Sequence, residues 1–182
     1  MPYNTIIIDA PGVIKKAGVK PGDIIADLGT GREGRMALSA GRIVGEHGIA
    51  YAVDVVKSIL PTIATKAKVH GINNVQTVWS NLEIYGATRA ITDNALDVAF
   101  LVTTLFQSKQ RMKIMQETYR MMKPGARLAV VDWKPGVSAP FGPEEAVRVH
   151  PEEIKGYATE LSMQLIEEFD AGQYHWGLIF VK

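Results

Sequence analysis

The sequence predicts an α/β chain: a three-layer, doubly wound sheet of seven strands, mostly parallel, with an antiparallel strand at the C-terminal end. Three observations carry this. Five short runs rich in Val, Ile or aromatics, "DIIADLG", "AYAVDV", "VQTVWS", "LDVAFLV" and "RLAVVDW", alternate with amphipathic stretches, as parallel strands covered on both faces do. A glycine turn, "GTGREG", follows the first run directly. Two further strand-like runs, about 164–169 and 175–181, are separated by "DAGQ" with no room for a helix, so they must pair antiparallel.

The intervening segments supply the helices. After the first strand Met36, Ala40, Ile43 and Val44 recur at helical spacing, with Gly48 placed to end the helix. Between Val55 and Val75 another helix is expected, with Pro61 in its first turn. Met112, Met115, Tyr119 and Met122 form an apolar face before the "KPG" breaker at 123–125, the methionines acting as core filling. The last helix starts at His150. Pro151 and two glutamates suit its first turn, and Ile154, Tyr157, Ala158 and Leu161 face inward. The one long irregular stretch, "KPGVSAPFGPEEAVRV" at 134–149, is a candidate functional loop.

Composition narrows the function. At 182 residues the chain fits a single domain, 1–182. Twenty basic residues nearly balance nineteen acidic ones and are scattered, which gives no strong nucleic-acid signal. Without cysteine, disulfides, thiolate metal sites and cysteine nucleophiles are excluded. The N-terminal "MPYNTIIIDAPG" has three isoleucines and no basic start, and no apolar run approaches the roughly 20 residues of a membrane span. A cytoplasmic protein with a small-molecule partner and no metal is expected. Homo-oligomerisation is left open.

The glycine turn itself admits two ligands. Gly29, Gly31 and Gly34 spell G-x-G-x-x-G, and Asp54 follows Gly34 by 20 residues, as in a dinucleotide site. Three features pull away from that reading. Asp27 stands two residues before Gly29, where the dinucleotide fingerprint carries an apolar residue; "SNLE" at 80–83 makes a second polar turn after the third strand; and a hairpin closes the chain.

With "AGVKPGDIIADLGTG", "AYAVDV", "WSNLE", "MMKPGARLAVVDWKPG" and "EEFDAGQYHWGLIFVK", nearly the whole chain resembles the Rossmann-like, seven-stranded S-adenosylmethionine-dependent methyltransferases, nearest the small ubiquinone/menaquinone-biosynthesis-like branch. The resemblance implies S-adenosylmethionine as cofactor. It also implies roles: Asp27 and the turn Gly29, Thr30 and Gly31 beside the methionine moiety, Asp54 on the ribose hydroxyls, Val55 against the adenine face, Asn81 and Leu82 at the adenine edge, and Val102 completing the cofactor site. A carboxylate at position 54 can accept from both vicinal hydroxyls. Asp54 could instead cap the following helix, and Asp27 could brace the glycine turn. Asn81 replaces the aspartate common in the family, and Glu33 stands where the third family glycine is expected, Gly34 arriving one residue late. A carboxylate facing the ligand's own would weaken binding, so Glu33→Gly is expected to tighten it by about 1 kcal/mol.

Methyl transfer is an in-line displacement that asks for alignment and exclusion of water, so no obligatory catalytic residue is expected. Should the acceptor need to lose a proton, His150, His175 and Asp132 are the candidate bases. The fourth strand ends "FLVTTLFQS", lacking both the Asn/Asp-Pro-Pro-aromatic turn of amino-methylating nucleic-acid enzymes and the carboxylates of a magnesium-dependent catechol site. A small-molecule acceptor remains, over Thr103, Thr104, Phe106 and Gln107. Two alternatives stand beside an active methyltransferase: a degenerate member that binds the cofactor poorly or binds a partner, motivated by Glu33 and Asn81, and an NAD(P)-dependent oxidoreductase, motivated by the glycine pattern and Asp54.

Overall fold

The strands are β1 (Ile24–Leu28), β2 (Ile49–Asp54), β3 (Val75–Trp79), β4 (Leu96–Val102), β5 (Met122–Trp133), β6 (Gln164–Gly172) and β7 (His175–Val181). They form one sheet in the order β3-β2-β1-β4-β5-β7-β6. This computed structural model describes residues 8–182; most of the opening segment read above for a leader lies outside the described residues. β7 runs antiparallel to both neighbours, β5 and β6, while β1 to β5 are mutually parallel. The closing hairpin therefore inserts its second strand into the sheet and leaves its first at the edge.

Helices α1 (Ala10–Ala17), α2 (Arg35–Val44) and α3 (Leu60–Val69) cover one face, and α4 (Arg111–Met121) and α5 (Pro151–Glu160) the other. Alternation along the strands divides the core. Ile25, Val98, Phe100, Ala129, Val131 and Ile179 face α1 and α2, while Leu28, Ala99, Leu101, Leu128, Val130 and Leu178 face α4 and α5. No helix among the described residues is long and apolar enough to cross a membrane.

Three sequence expectations need correction. α2 ends at Gly45, whose N–H bonds the Gly41 carbonyl, rather than at Gly48; Ile43 points outward at 41% exposure, leaving Met36, Ala40 and Val44 as the inner stripe. On α4 the buried apolar face is Ile114, Met115 and Met121; Met122 already belongs to β5, whose pairing with β4 slips between Leu96 and Val98 around the "KPG" segment. α1 was not foreseen. Asp9 accepts from the Gly12 N–H at 3.1 Å to cap it, Pro11 sits in its first turn, and Val13, Ile14 and Ala17 bury against the sheet.

This order puts the reversal of winding between β1 and β4, the place where open α/β sheets hold ligands at the carboxyl ends of their strands. A cleft opens there.

Candidate functional site

The cleft has two compartments that meet at Gly29, Gly31, Arg32 and Gln107. One, of about 430 Å³, lies over the ends of β2 and β3 and is lined by Asp54, Val55, Asn81, Leu82 and Thr104 among others. The other, of about 380 Å³, lies toward β4, β5 and β7 and is lined by Asp27, Thr30, Val102, Thr103, Trp133, Phe141 and His175 among others.

Glycine is required at the junction. Gly29 has φ +82, and a Cβ there would stand 2.5 Å from the Thr104 side chain, so an alanine would be both strained and blocked. Thr104 in turn donates to the Leu28 carbonyl at 2.9 Å, tying the end of β4 to the end of β1. Gly31 faces open space, leaving bare backbone toward the cleft.

The two acidic residues hold this turn from either side. Asp54 is 8% exposed and accepts the Gly31 N–H through one oxygen and the Val56 N–H through the other, each at 2.9 Å. Asp27 is 2% exposed and accepts from Thr30 Oγ1 at 2.6 Å and the Ala37 N–H at 3.1 Å. Burial raises its carboxyl to about 6 against the opposing pull of those bonds. Both carboxylates thus brace the turn and also line the cleft.

Beyond β2, Val55 is 57% exposed and open to the cleft. Asn81 Oδ1 accepts the Glu83 N–H at 2.9 Å, a local turn that directs its amide nitrogen outward from that bond. Glu83 links this turn to the β4 side by accepting from Ser108 Oγ at 2.6 Å and Gln110 Nε2 at 3.0 Å. Behind it, buried Glu117 accepts the N–H groups of Gly86 and Thr88 and pairs with Arg120 at 2.8 Å. The chain between β3 and β4 is thereby pinned to α4.

At the floor, Thr103 has φ +52, a left-handed conformation costly for a β-branched residue. Three bonds hold it: its N–H to the Val131 carbonyl at 2.7 Å, its hydroxyl to the Val102 carbonyl at 2.8 Å, and its own carbonyl accepting from Gln107 Nε2 at 2.7 Å. Strain of this kind, kept beside a cleft, marks a position that shape alone would not select.

Not every expected residue arrives. Phe106 packs its ring on the core beside α4 and lines neither compartment. His150 caps α5 on the exposed surface away from the cleft. Asp132 is fully buried below the floor, accepting the N–H groups of Phe106 at 3.1 Å and Trp133 at 2.8 Å; burial raises it to about 7. Of the three candidate bases only His175 lines the cleft. Glu33 is exposed, and its carboxylate bonds Lys66 of α3 at 2.7 Å, which lowers its pKa. The expected repulsion toward a ligand is therefore largely met by a cation already in place. Residues that sequence reasoning missed are Arg35, Met36, Trp133 and Phe141 in one compartment and Ile59 and Ser108 in the other. Trp133 ends a strand at its carboxyl end, a placement that could have flagged it. Among the described residues no group of His, Asp and Glu is arranged to hold a metal ion.

Residues 9–141 match the model of the ubiE/COQ5 methyltransferase family. The chain is 31% identical over 126 residues to the ubiquinone/menaquinone biosynthesis C-methyltransferase UbiE of Vibrio parahaemolyticus, covering 69% of this chain and 47% of that protein. The UbiE of Escherichia fergusonii is 30% identical over the same length, with 48% of it covered. The chain thus spans about half the length of the curated relatives it matches. Among solved structures, a SAM-dependent methyltransferase from Aquifex aeolicus superposes with TM-score 0.86 at 25% identity, covering 100% of this chain and 94% of that one. A type 11 methyltransferase of Sulfolobus solfataricus, at 19% identity and TM-score 0.70 over 87% and 83% of the two chains, shares the fold.

Proposed function

The chain belongs to the ubiE/COQ5 methyltransferase family, and from that premise we propose that it transfers a methyl group from S-adenosylmethionine to a small-molecule acceptor. The observation that carries the reading is Asp54 at the end of β2, fixed by two backbone amides beside the bare Gly29 to Gly31 turn where the compartments meet.

The residues present fit the cofactor. Gly31 leaves open space where a Cβ would stand, so backbone can approach a ligand there. Asp54 keeps unused lone pairs on both oxygens for a vicinal diol. Val55 and Leu82 offer apolar flanks to a planar base, and the Asn81 amide offers a donor at its edge. The turn Gly29, Thr30 and Gly31, held by Asp27, would receive the methionine moiety, with Val102 beside it. When bound, S-adenosylmethionine supplies an electrophilic methyl group on a sulfonium. The chain's own share is alignment and exclusion of water, through Thr103 and Gln107 at the floor and Trp133 and Phe141 at the wall.

The acceptor is proposed to lie in the compartment toward β5 and β7, under the 134–149 loop, whose Phe141 reaches it. We also propose a single methyltransferase-like domain over 1–182, supported by one continuous sheet, and a cytoplasmic location. The degenerate reading loses its main motive once Glu33 is paired with Lys66. Calorimetric titration tests the function: S-adenosylhomocysteine should bind with one-to-one stoichiometry, while NAD and NADP give no heat. The reverse result would overturn it.

A further inference from the structure

A methyl group that passes from cofactor to acceptor has to cross the place where the two compartments meet. Gly29, Gly31, Arg32 and Gln107 line both compartments. The first three belong to the glycine turn, which the proposed function gives to the methionine moiety. Gln107 comes instead from the end of β4, closing the short turn Leu105–Gln107. Its amide has no task yet beyond forming the floor.

That residue is exposed, yet its side chain is fixed. Nε2 donates to the Thr103 carbonyl at 2.7 Å, and the Gln107 N–H donates to the Thr104 carbonyl at 3.2 Å. A carbonyl only accepts, so the amide nitrogen must be the atom turned to Thr103, and Oε1 is the free end. Polarisation of the amide by the bond it already makes strengthens that oxygen as an acceptor. The arrangement rests on strain. Of the described non-glycine residues with positive φ, Asn94, Thr103 and Ser162, only Thr103 is β-branched, and its carbonyl is the one Gln107 folds back to meet. The four carboxylates that line the cleft are engaged: Asp27 and Asp54 hold the glycine turn, Glu33 pairs with Lys66, and Glu83 accepts from Ser108 and Gln110. Arg32 brings a positive charge to the same junction, so a cation held there needs an electronegative atom beside it.

We propose that Gln107 Oε1 contacts the positively charged sulfonium centre of bound S-adenosylmethionine, and so makes the site favour the charged cofactor over its neutral product, S-adenosylhomocysteine. The inference rests on the methyltransferase reading of this cleft and assigns its charge selection to one side chain. The attraction is present while the sulfonium is intact and lapses once the methyl group has left, because a thioether carries no charge. Specificity is a difference of affinities. Here that difference favours the exchange of spent product for fresh cofactor.

Sinefungin is the probe, because it keeps the adenosyl and amino-acid parts of the cofactor and carries an ammonium in place of the methyl sulfonium. Calorimetric titration at pH 7 compares it with S-adenosylmethionine and S-adenosylhomocysteine. Gln107→Leu, of similar size and without the oxygen, should lose at least fivefold in affinity for the two charged ligands relative to the neutral one, whose own affinity should stay within twofold. In the wild type the side-chain ¹⁵N resonance of Gln107 should move further on adding sinefungin than on adding S-adenosylhomocysteine. Should the Leu variant fail to fold, that wild-type readout decides. An equal loss for all three ligands, as a merely structural role would give, an unchanged set of affinities in the folded variant, or a resonance that moves no further with sinefungin would overturn the assignment. Failure of S-adenosylhomocysteine to bind the wild type would instead strike the parent reading, whereas normal binding without charge selection strikes this inference alone.

Discussion

Asp54→Asn separates the two roles the structure gives this side chain. In the wild type one oxygen accepts the Gly31 N–H and the other the Val56 N–H, both at 2.9 Å. An amide of the same shape has one acceptor. Whichever way it turns, its NH₂ faces one of those two N–H groups, and that donor must be left to water at the cleft. The cost to the fold should be about 1 kcal/mol, the low end for an unmade bond at a wet site, or roughly 2–4 °C in Tm for a chain of this size. Binding should suffer more. A carboxylate facing a ribose diol makes charge-assisted bonds worth about 1.5–3 kcal/mol each, so losing the charge should cost about 2 kcal/mol, near thirtyfold in Kd. Titration with 5′-methylthioadenosine and its 2′,3′-dideoxy analogue isolates the contact, because the variant's penalty should vanish for the analogue without hydroxyls. A variant that melts earlier yet binds both ligands as the wild type does would refute the ribose contact and leave Asp54 as a brace alone.

Glu33→Gly should change S-adenosylhomocysteine affinity by less than threefold by calorimetry, since the carboxylate is exposed and already paired with Lys66; a fivefold gain would mean it faces the ligand after all. Asp132 has a carboxyl raised by burial to about 7 from 3.8, so the folded state holds a proton the unfolded chain has lost, and the stability this contributes is present below 3.8 and lost as pH rises through about 7. Urea unfolding should show wild type losing on the order of 2 kcal/mol relative to Asp132→Asn between pH 5 and 8, while Asp27, raised to about 6, adds a like slope to both proteins; a parallel pair of profiles would sink the assignment. Gly31→Ala and Gly34→Ala carry similar strain at φ +64 and +61, but only the second meets a neighbour, Ile63 at 2.9 Å. Thermal melts should therefore fall further for Gly34→Ala, and cofactor affinity further for Gly31→Ala; the opposite ranking would place the ligand at Gly34.

The sheet was legible because its strands are buried on both faces and so spell continuous apolar runs, and because four residues of "DAGQ" leave no room for a crossover. α1 was legible in principle from Asp9, Pro11 and the buried Val13, Ile14 and Ala17, but it precedes the first strand, where no alternation asks for a helix. The compartment over the ends of β2 and β3 was legible because Asp54, Val55, Asn81 and Leu82, which line it, sit at strand ends next to turn signals. The other compartment came through in part: Asp27, Val102, Thr103, Gln107 and His175 were named from the sequence and line it, while Trp133 and Phe141 were not. Trp133, Phe141 and His175 come from three separate segments that only the antiparallel insertion of β7 beside β5 brings together, with Trp133 opposite His175 in the ladder.

The glycine pattern shows how spacing can mislead where contact decides. G-x-G-x-x-G suggested that all three glycines serve one ligand, and the family pattern suggested that the third had slipped by one residue. Gly29 needs its freedom because Thr104 crosses 2.5 Å from where a Cβ would be, and Gly34 because Ile63 of α3 does the same at 2.9 Å. Gly34 therefore serves the packing of α3 on the start of α2, and of the three glycines only Gly29 and Gly31 line the cleft. The extra residue leaves Glu33 exposed at the rim of the cleft, where Lys66 of the same helix α3 takes its carboxylate. One helix thus answers both departures: Ile63 fixes where the glycine must be, and Lys66 neutralises the residue that the shift exposes.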